Sequence, residues 1–347
     1  MYGIEKGGFC KEYPWVVRPL DMFEQGKSEV ELTNFGRVFT LPIYWGRISK
    51  PRSCFRGFRS KPQSPLSQMM SNKKAADQAN HAPQGANQPV VWVTGSGAKR
   101  VGRTVAQHFA TCGYRVALHA RSSLEELHCS REEIAQLGVP CMSTTGDIRS
   151  YQAMEQAVAA IVLEFGRIDA MVHCAAVWDW KTLEETTQED LTRQFEINTL
   201  GSYNVAKAAG LAMIGQPSGG RLVLVGDWAV IRPYRDFSAY FVGKGAIETL
   251  VRSLAVELAS RNPNVHVNGI LPGPVMLDTS ISQERADRIL QSSLVKRHGR
   301  PEDVAQAAYF LATQSFITGV CLPVDGGRSI YAPSETESAA HPTFKSG

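Results

Sequence analysis

Residues 221–257 read RLVLVGDWAVIRPYRDFSAYFVGKGAIETLVRSLAVE. The short apolar run 222–225, closed by Gly226, predicts a buried strand. From Ser238 onward Ala, Ile, Leu and Val recur at helical spacing, which predicts a long helix over 238–259. Tyr240 and Lys244 stand four apart and therefore share one face of that helix. A phenol beside an ammonium can handle a proton, because the cation favours phenolate and should lower the tyrosine pKa. Taken alone, such a pair is an ordinary piece of solvated helix surface. The surrounding sequence decides between the two.

Upstream, PVVWVT at 89–94 is a β-rich run, and TGSGAKRVGRTVAQHFATCGY follows from Thr94 as a glycine-rich turn opening into an apolar-periodic helix. Strand, glycine turn and helix together present backbone N–H groups and a positive helix end to a pyrophosphate. Gly95, Gly97 and Gly102 supply the turn and the close approach. The next strand, RVALHA at 115–120, ends in Arg121-Ser122-Ser123. In a dinucleotide fold an acid at this strand end receives the ribose hydroxyls of NAD, whereas a base receives the extra phosphate of NADP. No Asp or Glu lies between Gly102 and Glu125. His119, Arg121 and Ser122 offer cationic and hydroxyl donors suited to a 2′-phosphate, so NADP is the expected cofactor.

The alternation continues. Strands are expected at 139–144, 168–174, 222–225, 264–271 and 320–324, between helices at 151–165, 186–213, 238–259, 283–290 and 301–312. Repeated units of this kind imply an α/β fold with a parallel sheet covered on both faces. Ligands in such sheets bind beyond the strand C-termini. The glycine turn, Arg121, Asp147, Ala175 with its neighbours Cys174 and Ala176, Asp227, and Pro272-Gly273 all fall at such ends and converge on one crevice. That convergence lifts Tyr240 and Lys244 above the solvated-surface reading.

The chain of 347 residues, 43% hydrophobic, has room for one large α/β domain and an appendage. No apolar run is long enough to span a bilayer, so no membrane partner is expected. The net charge is +4, but residues 1–88 hold 13 Lys and Arg against 7 Asp and Glu, and the remainder holds 24 against 26. The basic excess therefore belongs to the N-terminal segment and says nothing about the partner of the folded part. That segment matches no nucleic-acid reader motif, and no nucleic-acid partner is expected. Residues 1–88 are rich in Pro, Ser, Arg, Gln and Asn in their second half and are expected to be a disordered extension; a start at Met69 or Met70 is an alternative. Residues 332–347 are expected to be a flexible tail. Seven scattered cysteines without a C-x-x-C pair suit buried thiols in a reducing compartment, so the cytoplasm is expected and no metal site is.

Over about residues 89–331 the chain resembles the short-chain dehydrogenase/reductase superfamily. The resemblance rests on Thr94-Gly95 before the glycine turn, Asn198 within EINTLGSY, Tyr240-x-x-x-Lys244, Pro272-Gly273-Pro274 and the closing ITGVCLPVDGG. It implies a Rossmann-type doubly wound sheet of about seven strands, hydride transfer from a nicotinamide cofactor, and a homo-oligomer, usually a tetramer. It also implies that Tyr240 is the acid/base, that Lys244 binds the nicotinamide ribose and lowers the tyrosine pKa, and that Asn198 supports a proton-relay water. Asp147 would contact adenine, and Ile148 would supply a backbone contact.

Three departures stand out. The first turn runs T-G-S-G-A-K-R-V-G, with Lys99 and Arg100 inside it, one residue longer than the T-G-x-x-x-R-x-G form. The usual Asn-Asn-Ala-Gly is His173-Cys174-Ala175-Ala176. The usual serine, about thirteen positions before the tyrosine, is Asp227. An aspartate there resembles the pteridine reductases, in which it delivers a proton together with the tyrosine. By the same resemblance Trp178 would stack on the substrate ring opposite nicotinamide. The expected activity is NADP(H)-dependent reduction of a small molecule, a dihydropterin or dihydrofolate. Two other readings stay open: a 3-oxoacyl-thioester or other ketone reductase, and a non-catalytic NADP-binding protein.

Overall fold

The computed structural model describes residues 88–277 and 281–332, together with the course of three strands nearer the N-terminus. These strands, β1 (Val16–Pro19), β2 (Lys27–Asn34) and β3 (Arg37–Tyr44), form an antiparallel sheet of their own. They differ from the expectation of a segment without regular structure. β2 alternates Glu29, Val30, Glu31 and Leu32 in sequence, and it pairs antiparallel with β3 from Lys27 against Tyr44 to Asn34 against Arg37. The alternation is brief and sits beside a long polar stretch, which is why it did not stand out. The rest of residues 1–87, and all but the first residue of the expected tail 332–347, lie outside the described residues.

The second unit is a run of β–α units. Its strands are β4 (Val90–Thr94), β5 (Arg115–Ala120), β6 (Cys141–Thr145), β7 (Ala170–His173), β8 (Gly220–Val225), β9 (Val265–Pro272) and β10 (Cys321–Val324). Its helices are α1 (Val101–Thr111), α2 (Leu124–Ala135), α3 (Tyr151–Phe165), α4 (Gln188–Gln194), α5 (Gly201–Ile214), α6 (Ser238–Ala259), α7 (Gln283–Gln291) and α8 (Pro301–Thr313). The seven strands pair in the order β10-β9-β8-β7-β4-β5-β6, every pair parallel. The chain begins at β4 in the middle and steps outward to β6. It then returns to β7 on the other side of β4 and steps outward again. The order therefore reverses between β4 and β7, and a crevice opens at the carboxyl ends of those two strands.

Burial on both faces explains the continuous apolar runs. Trp92, Met171, Leu222 and Leu224 point to one face and pack with Met154, Ile161 and Ile247; Val91, Val93, Val172 and Val223 point to the other and pack with Phe109 and Leu311. All thirteen are essentially inaccessible to solvent. Each such side chain contributes roughly 1.5–3 kcal/mol through burial. Local signals set some boundaries sharply. α3 starts after Ser150, whose side chain accepts from Ala153 N, and stops at Gly166, left-handed at φ 79°, so 151–165 is legible to the residue. α2 carries only Leu127, Ser130 and Ile134 inward on an otherwise charged helix, a pattern too sparse to name from sequence.

The helix expected over 186–213 departs from regularity. Between α4 and α5 the chain makes a π-helical turn, Phe195–Leu200, and Asn198 lies inside it. Such turns widen a helix and re-aim the side chains they carry. Just beyond it, buried Asn204 donates from Nδ2 to Ile148 O (3.0 Å) and to Arg149 O (2.9 Å), tying α5 to the loop after β6. Replacing Asn204 with Ala strands two carbonyls and should lower unfolding free energy by about 1–3 kcal/mol. A denaturant titration in which the midpoint falls and the slope does not would show it.

Candidate active site

The crevice is framed by the ends of β4, β5, β7, β8 and β9. At its floor Thr94 on β4 and His173 on β7 are register partners, and Thr94 Oγ1 lies 2.7 Å from His173 Nδ1. On the far side of the ring, His173 Nε2 lies 3.0 Å from Ser202 Oγ. Ser202 spends its own proton on Asn198 O at 2.6 Å, so its oxygen receives from His173 Nε2–H. The network thus assigns the Nε2–H tautomer, with Nδ1 accepting from Thr94. Burial, reinforced by the nearby Lys244 charge, pushes the His173 pKa down to about 3, and the ring is neutral. One imidazole therefore joins the glycine turn, β7 and the π-helical turn.

Asn198 is fully buried. Its Oδ1 accepts from Val177 N (3.0 Å), and its Nδ2 donates to Val177 O (2.9 Å) and Gln194 Oε1 (2.6 Å). The side chain clamps the loop after β7 at both backbone groups. Gly243 on α6 faces this turn so closely that a Cβ there would lie 2.8 Å from Gln194 O. The glycine lets α6 bring Tyr240 and Lys244 against the π-helical turn.

Tyr240 and Lys244 are both buried. Tyr240 Oη donates to Asp227 Oδ2 at 2.6 Å, and Asp227 Oδ1 accepts from Ala229 N at 2.8 Å. Lys244 Nζ donates to Val225 O at 2.8 Å. The electrostatics correct one expectation. The Tyr240 pKa is not lowered but raised well above its ordinary value, by burial first and then by the Asp227 charge and hydrogen bond. Asp227 is raised by burial, against the lowering effects of Tyr240, Ala229 N, Lys244 and Arg328. Lys244 is lowered by burial, with Asp227 opposing. The ammonium is spent on Val225 O, and the nearer carboxylate governs the phenol. At neutral pH the site holds its proton on the Tyr240–Asp227 pair, ready to be given.

The residues at the glycine turn fit a dinucleotide. Gly95 is left-handed at φ 65°, and a Cβ there would lie 2.7 Å from Ala175 Cα. A Cβ at Gly102 would lie 2.4 Å from Gly95 O. Gly97 is held by Ser130 Oγ, which donates to its carbonyl at 2.9 Å. The first turn of α1 carries no acidic residue, and its N-cap residue Arg100 makes no side-chain cap, so no side chain competes for an anion there. Lys99, Arg100, Arg121 and Ser122 are exposed around this end. Ala175 N reaches Thr94 Oγ1 at 3.4 Å, and Gly273 after Pro272 bonds Val324 O through its N–H at 2.9 Å.

Other expected site residues sit differently. His119 is 1% exposed, edge-on to Trp92 at 6.1 Å, and neither ring nitrogen has a hydrogen-bond partner among the described residues. Burial pushes its pKa down to about 4, so it is a neutral core side chain and no phosphate donor. Strand alternation turns it inward, while Arg121 lies beyond the strand end. Asp147 is engaged by Arg149, whose Nη2 lies 2.7 Å from Oδ2, and this holds its carboxyl below the usual range. Ile148 is buried under Gly201, where a Cβ would lie 2.7 Å from it, and its carbonyl is taken by Asn204. Trp178 is 54% exposed and stacks on Phe237, with centroids 4.8 Å apart and planes at 15°. Phe237 in turn meets Tyr234 and Tyr240 edge-on, an aromatic wall that sequence reading missed because its members are scattered over two loops and a helix. The five described cysteines are free, and burial pushes the Cys174 thiol up to about 12.

This arrangement is that of a nicotinamide-dependent oxidoreductase. A family model described as Enoyl-(Acyl carrier protein) reductase matches residues 97–329. The 3-oxoacyl-[acyl-carrier-protein] reductase of Bos taurus is 31% identical over 232 residues, 67% of this chain and 94% of that protein. The 7alpha-hydroxysteroid dehydrogenase of Escherichia coli K12 is 29% identical, covering 68% of this chain and 92% of its own. Among solved structures, NAD+-bound xylitol dehydrogenase superposes with a TM-score of 0.64 at 28% identity, covering 69% of this chain and 98% of that one. The chain belongs to the short-chain dehydrogenase/reductase superfamily.

Two outcomes follow from the site. Tyr240→Phe should lower kcat by about 100- to 10,000-fold, the usual contribution of a positioned general acid, with cofactor affinity nearly unchanged. Asp227 has a folded pKa above its unfolded value of about 3.9, so its favourable contribution is complete below that value and is lost as pH rises through the folded one. Asp227→Asn should therefore be more stable than the wild type near pH 7. The gap should close on acidification, as followed by thermal melts across pH.

Proposed function

We propose that the protein is an NADPH-dependent reductase of a dihydropterin or dihydrofolate. The observation that carries this reading is the 2.6 Å bond from Tyr240 Oη to Asp227 Oδ2, where a carboxyl raised by burial stands in place of the family's serine. Reducing a C=N bond needs a hydride on carbon and a proton on nitrogen. Nicotinamide, when bound, supplies the hydride. Tyr240 gives the proton, and Asp227, whose pKa burial raises, would return one to it. A neutral serine can hold a ketone oxygen but has no such proton to pass on. The exposed face of Trp178, backed by Phe237, offers a planar ring a stacking surface.

Lys244 would hold the nicotinamide ribose, and Asn198, through its clamp on Val177, would fix the loop that borders it. Lys99, Arg100, Arg121 and Ser122, together with the open end of α1, support the preference for NADPH, since no carboxylate is present there to receive ribose hydroxyls. A homotetramer in the cytoplasm is part of the same proposal. The apolar side chains of Leu191, Phe195, Leu200 and Leu211, exposed along α4, the π-helical turn and α5, support self-association. A second reading, reduction of a 3-oxoacyl thioester, is favoured by the bovine relative and by the description of the family model.

Turnover with each substrate separates them. Under the first reading, 7,8-dihydropterin is reduced with NADPH in preference to NADH, and Arg121→Ala removes most of that preference. Under the second, no pterin is reduced and Asp227→Ser raises ketone turnover. Activity on the pterin should also fall as pH rises through the raised Asp227 value, because the proton store empties.

A further inference from the structure

Arg328, in the loop after β10, is a half-buried cation without a carboxylate partner. Its Cζ lies 4.6 Å from the ring centroid of Trp228, the residue next to Asp227. The only side-chain hydrogen bond it makes among the described residues is a long one, Nη1 to Ile289 O at 3.5 Å. No acid lies within ion-pair distance of it among the described residues. Asp325 is close in sequence, but its carboxylate caps the turn by accepting from Gly327 N (2.9 Å) and Ser329 N (2.6 Å). The backbone of its loop is fastened, because Arg232 donates from Nη1 to Arg328 O (2.8 Å) and to Tyr331 O. Burial drags its pKa below the ordinary arginine value, and the charges of Asp325 and Asp227, neither in an ion pair with it, offset that cost only in part.

Arg328 also lines a cavity of ≈ 360 Å³ at the carboxyl ends of β9 and β10, bordered by Gly273, Ser293, His298 and Asp325. The cavity's other guanidinium, Arg297, is consumed by Asp303, at 2.7 and 2.9 Å. His298 contributes a buried Nδ1 that has no partner among the described residues. The space therefore opens beside the loop whose Arg328 stacks on Trp228, next to Asp227, and presents one positive charge that no ion pair consumes. Chemically it suits the acidic end of a molecule whose ring lies against Tyr240 and Asp227.

We propose that Arg328 is a specificity-determining residue that pairs with a carboxylate carried by the substrate at a distance from the reacting ring. This rests on the pteridine reading for the ring and adds an acidic tail to it. A guanidinium stacked on Trp228 is aimed by that contact, and the pair would form two parallel hydrogen bonds.

Calorimetric titration of folate and of pterin onto the full-length protein saturated with NADP+ tests the pairing without requiring turnover. The wild type should bind folate tighter than pterin by about tenfold or more, the usual worth of a charge-assisted hydrogen bond. Arg328→Met, which keeps an apolar side chain on Trp228, should abolish that difference and leave pterin binding unchanged; Arg328→Lys should retain part of it. Folate binding no tighter than pterin, including no binding of either, overturns the assignment. So does an Arg328→Met variant that weakens both ligands equally, since the side chain would then only support the loop. Reduction of 7,8-dihydropterin by the wild type is read separately. If it fails while folate binding depends on Arg328, only the pteridine reduction falls; if it succeeds without a folate preference, only the role of Arg328 falls.

Discussion

The hydrogen bond between Thr94 Oγ1 and His173 Nδ1 spans the point at which the strand order of the sheet reverses. Neighbouring parallel strands share backbone bonds along their length, but at their carboxyl ends that ladder stops and the chain must leave for a loop. Here one loop is the glycine turn and the other carries Ala175 and Val177. The imidazole fastens them to each other and, through Ser202, to the π-helical turn. It can do so only while neutral, because a second ring proton would point at Thr94 Oγ1, whose proton already points back. The burial that pushes its pKa to about 3 is thus part of the fastening. The family's asparagine could make one such contact on this side of the strand. The histidine reaches across to α5 as well.

From that fixed floor the charge balance of the site follows. Asp227, Tyr240 and Lys244 are drawn together at the end of β8, and each is shifted by burial in the direction that disfavours its charged form. Opposite charges restrain the shifts of the acid and the amine, whereas the phenol has a carboxylate as its close neighbour and is driven further up. A tyrosine in this state is a poor base and a good store of a proton. The direction of chemistry that suits it is reduction, in which the substrate atom that accepts the proton becomes more basic as hydride arrives. A serine at 227 would remove the anion and allow Lys244 to dominate the phenol, turning the same scaffold toward reversible alcohol chemistry.

The fold was largely legible because parallel strands buried on both faces read as unbroken apolar runs and because capping residues marked the helices. Residues 151–165 and 238–259 emerge from sequence with their true ends. The site was legible where chemistry and backbone coincide: Gly95 and Gly102 are needed for contact, and Tyr240 and Lys244 for spacing. It was illegible where the third dimension decides. His119 sits at the expected strand end, yet the two-residue period of the strand turns it into the core. Lys244 was expected to act on Tyr240, but the carbonyl of Val225 takes its proton donor, a contact that no spacing on one helix can reveal. The strand pair 27–34 and 37–44 was hidden by brevity of pattern.

Arg328 shows the same limit from the other side. It follows Gly326 and Gly327, both left-handed at φ 66° and 79°, so the chain there turns in a way that sequence spacing cannot convert into direction. Those two turns return the strand end toward the 3₁₀ turn Trp228–Val230 and place a cation beside the segment that follows Asp227. The result couples two demands. A positive charge near Asp227 favours its anion and so drains the proton store, while burial of the same carboxyl refills it. A bound carboxylate facing Arg328 would neutralise the draining charge at the moment the substrate is seated. The pocket would then hold its proton most firmly when a substrate is present to receive it.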